Sequence, residues 1–344
     1  MLLATVILLG AQQGTPPPAM APPQEAPKPP QQAPTTITTR ADLVDVVFTV
    51  FNRRQKFATD LEKSDFSVSE DKVPQEIRFF SRETNLPLRV GLLLDTSNSI
   101  RGRLDFEKDA AVDFLFDVIR RHKDLAFLMT FDNEPAVIQD YTEDTATLRD
   151  VIRKQRAGGG TALYDAIYSA AERLSHAPPP AGENPQVRRV LVVISDGDDN
   201  QSTHRRSEAM EMAHRAGAVL YAISTSTNWV TAVEETDPVK QSQRKYHKEP
   251  GDLVLEQLAE ETGGRAFFPY RVDDLAQSFQ DIGSELRSQY SLAYVPTNRK
   301  PDGKFRTIRI QVARKGLTVR ARRGYYAPRA AAEAIQPSSG PPGI

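Results

Sequence analysis

Cysteine is absent from this chain of 344 residues. That excludes disulfides, thiolate nucleophiles and zinc–thiolate sites, and it leaves the redox compartment open. Histidine is scarce: His122, His176, His204, His214 and His247 form no His-Glu-x-x-His pattern and are expected at the surface in nearly every case. Neither sign of charge dominates, with 44 basic against 45 acidic residues, so no global field for nucleic acid or another polyanion is expected. Long hydrophobic runs are missing as well. The apolar stretch from Leu2 to Leu9 falls well short of the roughly 20 residues a transmembrane helix needs, and no other stretch is long enough.

What is present divides the chain. Its length suffices for two or three domains with a substantial core. Residues 1–14 carry the short apolar stretch followed by the small residues Gly10 and Ala11, the pattern of a secretory signal's apolar region. The basic leader that normally precedes such a region is missing, as a start site placed too far downstream would produce. Export to the periplasm, the cell envelope or the medium is the expectation. Residues 15–40, rich in Pro, Gln and Ala, read as an extended linker.

From residue 41 to 84 the hydrophobic period is two. Val44, Val46, Phe48 and Val50 share one face, Phe66 and Val68 another, and Ile77 and Phe79 are expected to share a third. Residues 86–289 alternate strand and helix. Strands are predicted at 89–94, 125–131, 137–139, 189–194, 218–223 and 265–268. Helices are predicted at 104–121, 145–155, 162–175, 207–216, 253–262 and 272–289. Such alternation implies a doubly wound, mostly parallel α/β sheet with helices on both faces. Period two returns at 290–327, and a disordered tail is expected at 328–344. Neither terminal strand group is large enough to stand alone, so the two are expected to combine as one β-sandwich. Residues 299–323 hold ten Lys or Arg against Asp302 alone, a pattern that edge strands use against aggregation. A polar insertion at 225–252 carries Trp229, the single tryptophan, and is expected to border the site described next.

Five residues carry the chemistry. The apolar run Val90–Leu94 ends in Asp95-Thr-Ser97-Asn-Ser99. The loop Gly158-Gly-Gly delivers Thr161 to the start of a helix, and the run Val190–Ile194 ends in Ser195-Asp196-Gly197. In an open parallel sheet the carboxyl ends of neighbouring strands meet at one edge, where ligands bind. All five side chains offer oxygen, the donor that hard divalent cations require. Asp165 lies one turn into the Thr161 helix, either beside the site or on plain surface. The cluster Asp196-Gly-Asp198-Asp199-Asn200 is not a calcium loop, because Gln201 stands at the glycine position and Ser207 at the bidentate glutamate position. Asp198 and Asp199 are expected in solvent, with residues 200–203 capping the following helix.

Asp-x-Ser-x-Ser, a distal Thr after a glycine loop and a distal Asp-Gly together resemble the metal-ion-dependent adhesion site of von Willebrand factor A (vWA) domains. The resemblance covers about residues 86–289. It implies that Ser97, Ser99 and Thr161 ligate Mg²⁺, with Mn²⁺ or Ca²⁺ as alternatives, while Asp95 and Asp196 act mainly through bound water. It also implies capture of a carboxylate from a protein or peptide partner. The strand modules flanking the central unit, with Thr59-Asp-Leu-Glu-Lys-Ser-Asp-Phe before it and Tyr-Tyr near the end, resemble the exported vWA-related proteins of Acidobacteria. A non-enzymatic adhesion module is the leading expectation. A scaffold with a vestigial site is the alternative. A hydrolase is disfavoured, because no Gly-x-Ser-x-Gly elbow occurs and no histidine lies in a motif-bearing segment.

Overall fold

The apolar runs that end in Asp95 and Ser195 form adjacent, wholly buried strands at the centre of a six-stranded sheet. The computed structural model of the chain describes residues 43–82, 86–180, 186–226, 248–269 and 272–329. The expected signal region, the linker, Trp229 with most of the 225–252 insertion, and nearly all of the tail lie outside these residues.

The central sheet comprises β5 (Leu88–Asp95), β6 (Leu125–Phe131), β7 (Pro135–Thr142), β8 (Arg188–Ser195), β9 (Ala218–Ser224) and β10 (Ala266–Phe267). Its order is β10-β9-β8-β5-β6-β7, parallel throughout except for β7, which pairs antiparallel at one edge. Side chains of β5 alternate between two cores. Leu92 and Leu94 pack with α1 (Leu104–Val118), α2 (Thr145–Arg153) and α6 (Val272–Leu286). Leu93 packs with α3 (Leu163–Ser175), α4 (Arg206–Ala216) and α5 (Pro250–Thr262). Burial on both faces explains why these strands read as unbroken apolar runs.

The flanking strands do combine. One antiparallel sheet has the order β13-β1-β11-β4, built from β1 (Val44–Asn52), β4 (Ile77–Arg82), β11 (Gln289–Tyr294) and β13 (Leu317–Ala321). The other has the order β14-β12-β2-β3, from β2 (Phe66–Glu70), β3 (Val73–Gln75), β12 (Phe305–Val312) and β14 (Gly324–Tyr326). Val46, Phe48 and Leu292 of the first sheet share a core with Phe66, Val68 and Ile308 of the second, so N- and C-terminal strands make one sandwich. Buried Glu70 accepts hydrogen bonds from the hydroxyls of Tyr294 and Tyr325, each at 2.9 Å, which ties the two sheets together.

Four expectations are corrected. Ile77 and Phe79 do not share a face, because the register slips at Arg78, where Ala293 pairs with Phe79 and Tyr294 with Ile77. One extra residue reverses the alternation, so Phe80 turns toward the core and Phe79 is 63% exposed. Helix α1 stops at Val118 instead of Arg121. Buried Asp124 takes the Arg120 N–H at 3.0 Å and its guanidinium at 2.7 Å, along with the Leu88 N–H at 2.8 Å. Helix α6 ends at Leu286, and Gln289 opens β11. His214 is buried, at 6% exposure, against the ring of Phe305. Burial, assisted by the Arg322 charge, pushes its pKa down to about 4, so the imidazole is neutral.

Part of the basic stripe at 299–323 is spent on internal contacts. Arg306 pairs with Asp302 at 2.8 Å and Arg314 with Asp60 at 2.8 Å. Arg323 pairs with Glu260 of α5 at 3.0 Å. Arg320 reaches Glu285 of α6 at 2.8 Å, where the buried carboxylate also accepts from the Thr49 hydroxyl of β1. The Arg320 and Arg323 pairs fasten the sandwich to the helices of the central unit.

Candidate metal centre

Register places three polar residues level at the carboxyl edge. Asp95 pairs with Phe131, Leu94 with Ile194, and Ser195 with Ser224, so Asp95, Ser195 and Ser224 end neighbouring strands. Asp95 is fully buried. One carboxylate oxygen accepts the Ser97 N–H at 2.8 Å, and the other accepts the Ser195 hydroxyl at 2.6 Å. The first contact curls residues 95–99 back over the strand end. The hydroxyls of Ser97 and Ser99 then lie 2.9 Å apart, aligned as a pair of neutral donors.

The glycine loop docks on this turn. Gly158 donates its N–H to the Thr96 carbonyl at 2.7 Å, and Gly159 accepts from the Asn98 N–H at 3.2 Å. Asn133 holds the Gly160 N–H at 2.8 Å. Thr161 follows, 3% exposed, with its N–H on the Asn200 side-chain oxygen at 2.9 Å. Its carbonyl accepts from Asn200 and Gln201. The loop after β8 therefore grips the loop before α3, and Asp196 begins that loop. Asp196 is close enough to act electrostatically on Asp95. Its own carboxylate accepts the Asp198 N–H at 3.2 Å.

The roles expected for solvated Asp199 and for residues 200–203 as the α4 cap change. Residues 200–203 do not cap α4, whose first turn is held by Arg205 and Glu208 instead. Ser202 accepts the N–H groups of Tyr164 and Asp165, and Asp199 supports it at 2.5 Å, so this loop caps α3 from outside. Asp199 is therefore a cap and not a free solvated charge. The α3 N-terminus is already supplied with acceptors at these positions. Asp165 is turned to the other side, where it accepts from the N–H groups of Thr203 and His204 and from the His204 ring.

Several residues shape the neighbourhood besides the five oxygen donors. Ser195 anchors Asp95. Asp252 of α5 is fully buried and accepts from the hydroxyls of Ser224 and Ser226 beside the same edge. Gly197 and Gly251 press backbone to backbone: a Cβ on Gly197 would sit 2.2 Å from the Gly251 carbonyl oxygen. Glu107 lies on the apolar stripe of α1 between Leu104 and Ala111, fully buried, and neither carboxylate oxygen has a hydrogen-bond partner. A charged residue in phase with an apolar helical stripe is the signal that could have found it.

Electrostatics follow from this crowding. Burial pushes the Asp95 carboxyl up to about 6, opposed by the hydrogen bonds from Ser195 and Ser97. Burial pushes Glu107 up to about 8, and the charges of Asp95 and Asp196 add to the effect while Arg103 opposes it. The site thus concentrates acid in a place poor in water, a condition that added positive charge relieves. Hydroxyls and carboxylates are hard donors suited to Mg²⁺ or Mn²⁺. Among the described residues no three His, Cys, Asp or Glu side chains form a metal-holding group, so direct ligation here would fall largely to the hydroxyls. The orphaned Glu107 oxygens and the paired serine hydroxyls fit such a cation.

Residues 90–198 match the family model described as von Willebrand factor type A domain, and the match contains all five residues named above. Among solved structures, the chain is similar to an aerotolerance-related membrane protein from Bacteroides fragilis NCTC 9343 carrying multiple mutations to serines. Identity there is 19%, with 58% of this chain and 98% of that chain covered and a TM-score of 0.42. It is similar to the conserved hypothetical protein BatB from Bacteroides thetaiotaomicron, at 17% identity, 58% and 100% coverage, and a TM-score of 0.44. It is also similar to a von Willebrand factor type A protein from Catenulispora acidiphila, at 11% identity, 83% and 72% coverage, and a TM-score of 0.45. No curated protein matches the chain. No helix among the described residues is long and apolar enough to cross a membrane.

Proposed function

We propose that the vWA-type domain of this chain is a non-enzymatic, metal-dependent binding module that captures an acidic residue of a partner protein outside the cytoplasm. The observation that carries this reading is the convergence at one sheet edge of the Asp95 carboxylate, the Ser97 and Ser99 hydroxyls 2.9 Å apart, and the docked Gly158–Thr161 loop. Ser97, Ser99 and Thr161 would hold the cation, with Asp95 and Asp196 behind them. Mg²⁺ bound by neutral hydroxyls keeps enough positive charge to attract one more anionic oxygen. The chain's own part is rigidity: Asp95 fixes the serine turn, and the Asn200 clamp fixes Thr161. Placement outside the cytoplasm rests on the apolar Leu2–Leu9 stretch and the Pro-rich run after it.

The test uses peptides that carry a single Asp or Glu in a neutral background, each with its Asn or Gln counterpart. Acid-bearing peptides are expected to bind the immobilised chain in Mg²⁺, with the signal lost in EDTA and in Thr161→Ala. Equal binding of the amide counterparts, or binding that survives EDTA, would refute the reading.

A further inference from the structure

Glu107 occupies a place that packing alone assigns to an apolar side chain. On α1 it follows Leu104 by three residues and precedes Ala111 by four, in line with Leu115 and Val118. It is 0% exposed, and neither Oε1 nor Oε2 accepts a hydrogen bond. Burying a carboxylate without donors is among the costlier choices a fold can make. Arg103 lies one turn earlier, and its Nη1 is likewise buried without a partner, so the guanidinium does not satisfy the acid. The remaining charges that act on Glu107 are Asp95 and Asp196, the two acids of the candidate metal centre. Glu107 therefore lies within electrostatic reach of that centre. It does not join a cluster close enough to ligate metal directly.

We infer that Glu107 is the inward-facing acceptor of the cation site, its carboxylate receiving hydrogen bonds from water carried by a divalent cation held at Asp95, Ser97, Ser99, Thr161 and Asp196. The inference rests on the cation reading proposed above. Water on a dication donates strongly and supplies what both orphaned oxygens lack. A third carboxylate beside Asp95 and Asp196 also deepens the negative field at the site. Without the cation the same three acids repel one another, so Glu107 strengthens metal binding at the expense of the metal-free fold. Outer acceptors of this kind commonly govern affinity although they touch no metal.

Calorimetric titration of MgCl₂ into the full chain separates the outcomes, with wild type, Glu107→Gln and Glu107→Leu compared. Both substitutions are expected to weaken Mg²⁺ binding about tenfold or more. In EDTA at about pH 9, where Glu107 is ionised even in its buried place, Glu107→Gln is expected to raise the thermal midpoint, because the buried charge is gone while the shape is kept. A merely structural role does not move affinity and metal-free stability in opposite directions. Affinities of the variants within about twofold of wild type would overturn the inference and leave the cation site standing. No Mg²⁺ binding by wild type would instead overturn the cation reading and this inference with it. Should neither variant fold, infrared difference spectra of the wild-type chain labelled with ¹³C-glutamate decide the matter. A glutamate carboxylate band that shifts on adding Mg²⁺ supports the inference, and an unmoved glutamate spectrum overturns it.

Discussion

Saturating Mg²⁺ is expected to raise the unfolding midpoint of the wild-type chain by several degrees, and Asp95→Ala is expected to abolish that response. A ligand that binds only the folded state stabilises it by about 2.7 kcal/mol at a hundredfold excess over its dissociation constant. Asp95 is the residue on which the geometry turns, since it holds the Ser97 N–H with one oxygen and the Ser195 hydroxyl with the other. Alanine there frees the serine turn and removes a buried charge at once, so its metal-free midpoint can move either way. The informative quantity is the difference between Mg²⁺ and EDTA for each protein. The response also depends on pH with a definite sign. Burial raises Asp95 to about 6 and Glu107 to about 8, so in acid the metal-free site carries protons that a cation must displace. Acidification therefore favours the protonated, metal-free form, and the Mg²⁺ response is expected to shrink steadily from about pH 8.5 to about pH 5. A response that is flat over that range, or retained in Asp95→Ala, would contradict the account.

Gly197→Ala is expected to cost far more stability than Gly217→Ala, although both glycines have positive φ. Gly217 ends α4 at φ 63° with nothing within 4 Å of an added Cβ. Its substitution pays only the left-handed backbone penalty, roughly 1–2 kcal/mol. Gly197 has φ 82°, and its Cβ would stand 2.2 Å from the Gly251 oxygen and 2.6 Å from the Gly251 carbonyl carbon. Backbone cannot step aside as a flexible side chain can, so the strand end or the start of α5 must move. A loss above about 4 kcal/mol, in the class of strained-backbone mutants, is expected by urea denaturation. The shift would also carry Asp196, one residue earlier, out of place, so any Gly197→Ala that folds should respond weakly to Mg²⁺. Equal losses for the two substitutions would show that the Gly197–Gly251 contact does not constrain the site.

The parts of the fold that a local pattern can express were readable in advance. Period-two alternation in Val44, Val46, Phe48 and Val50 locates β1, and the unbroken run Leu191–Ile194 locates a strand covered on both faces. The five oxygen donors could be named for the same reason, since each stands just after a strand or just before a helix. What escaped depends on partners distant in sequence. The bulge at Arg78 is set by pairing with β11, more than two hundred residues away, and it reverses which phenylalanine is buried. The end of α1 is set by Asp124 and Leu88. Asn200 and Ser202 read as caps for the helix beside them and Asp199 as a solvated acid, yet they serve Thr161 and α3 across the site. His214 looks like an ordinary polar residue on an amphipathic helix until the sandwich covers it, whereas Glu107 shows itself only by its phase with the apolar stripe of α1. The basic stripe likewise resembled a solvated edge, whereas Arg320 and Arg323 bind acids of α6 and α5.

Anomalous scattering from crystals grown in MnCl₂ tests the central claim most directly, because it locates the cation independently of any stability change. The account expects one strong manganese peak at the carboxyl edge of the central sheet, about 2.1 Å from the hydroxyl oxygens of Ser97, Ser99 and Thr161, the distance usual for hard six-coordinate cations. A fully ordered edge with no peak there, or manganese bound only elsewhere on the chain, would contradict it.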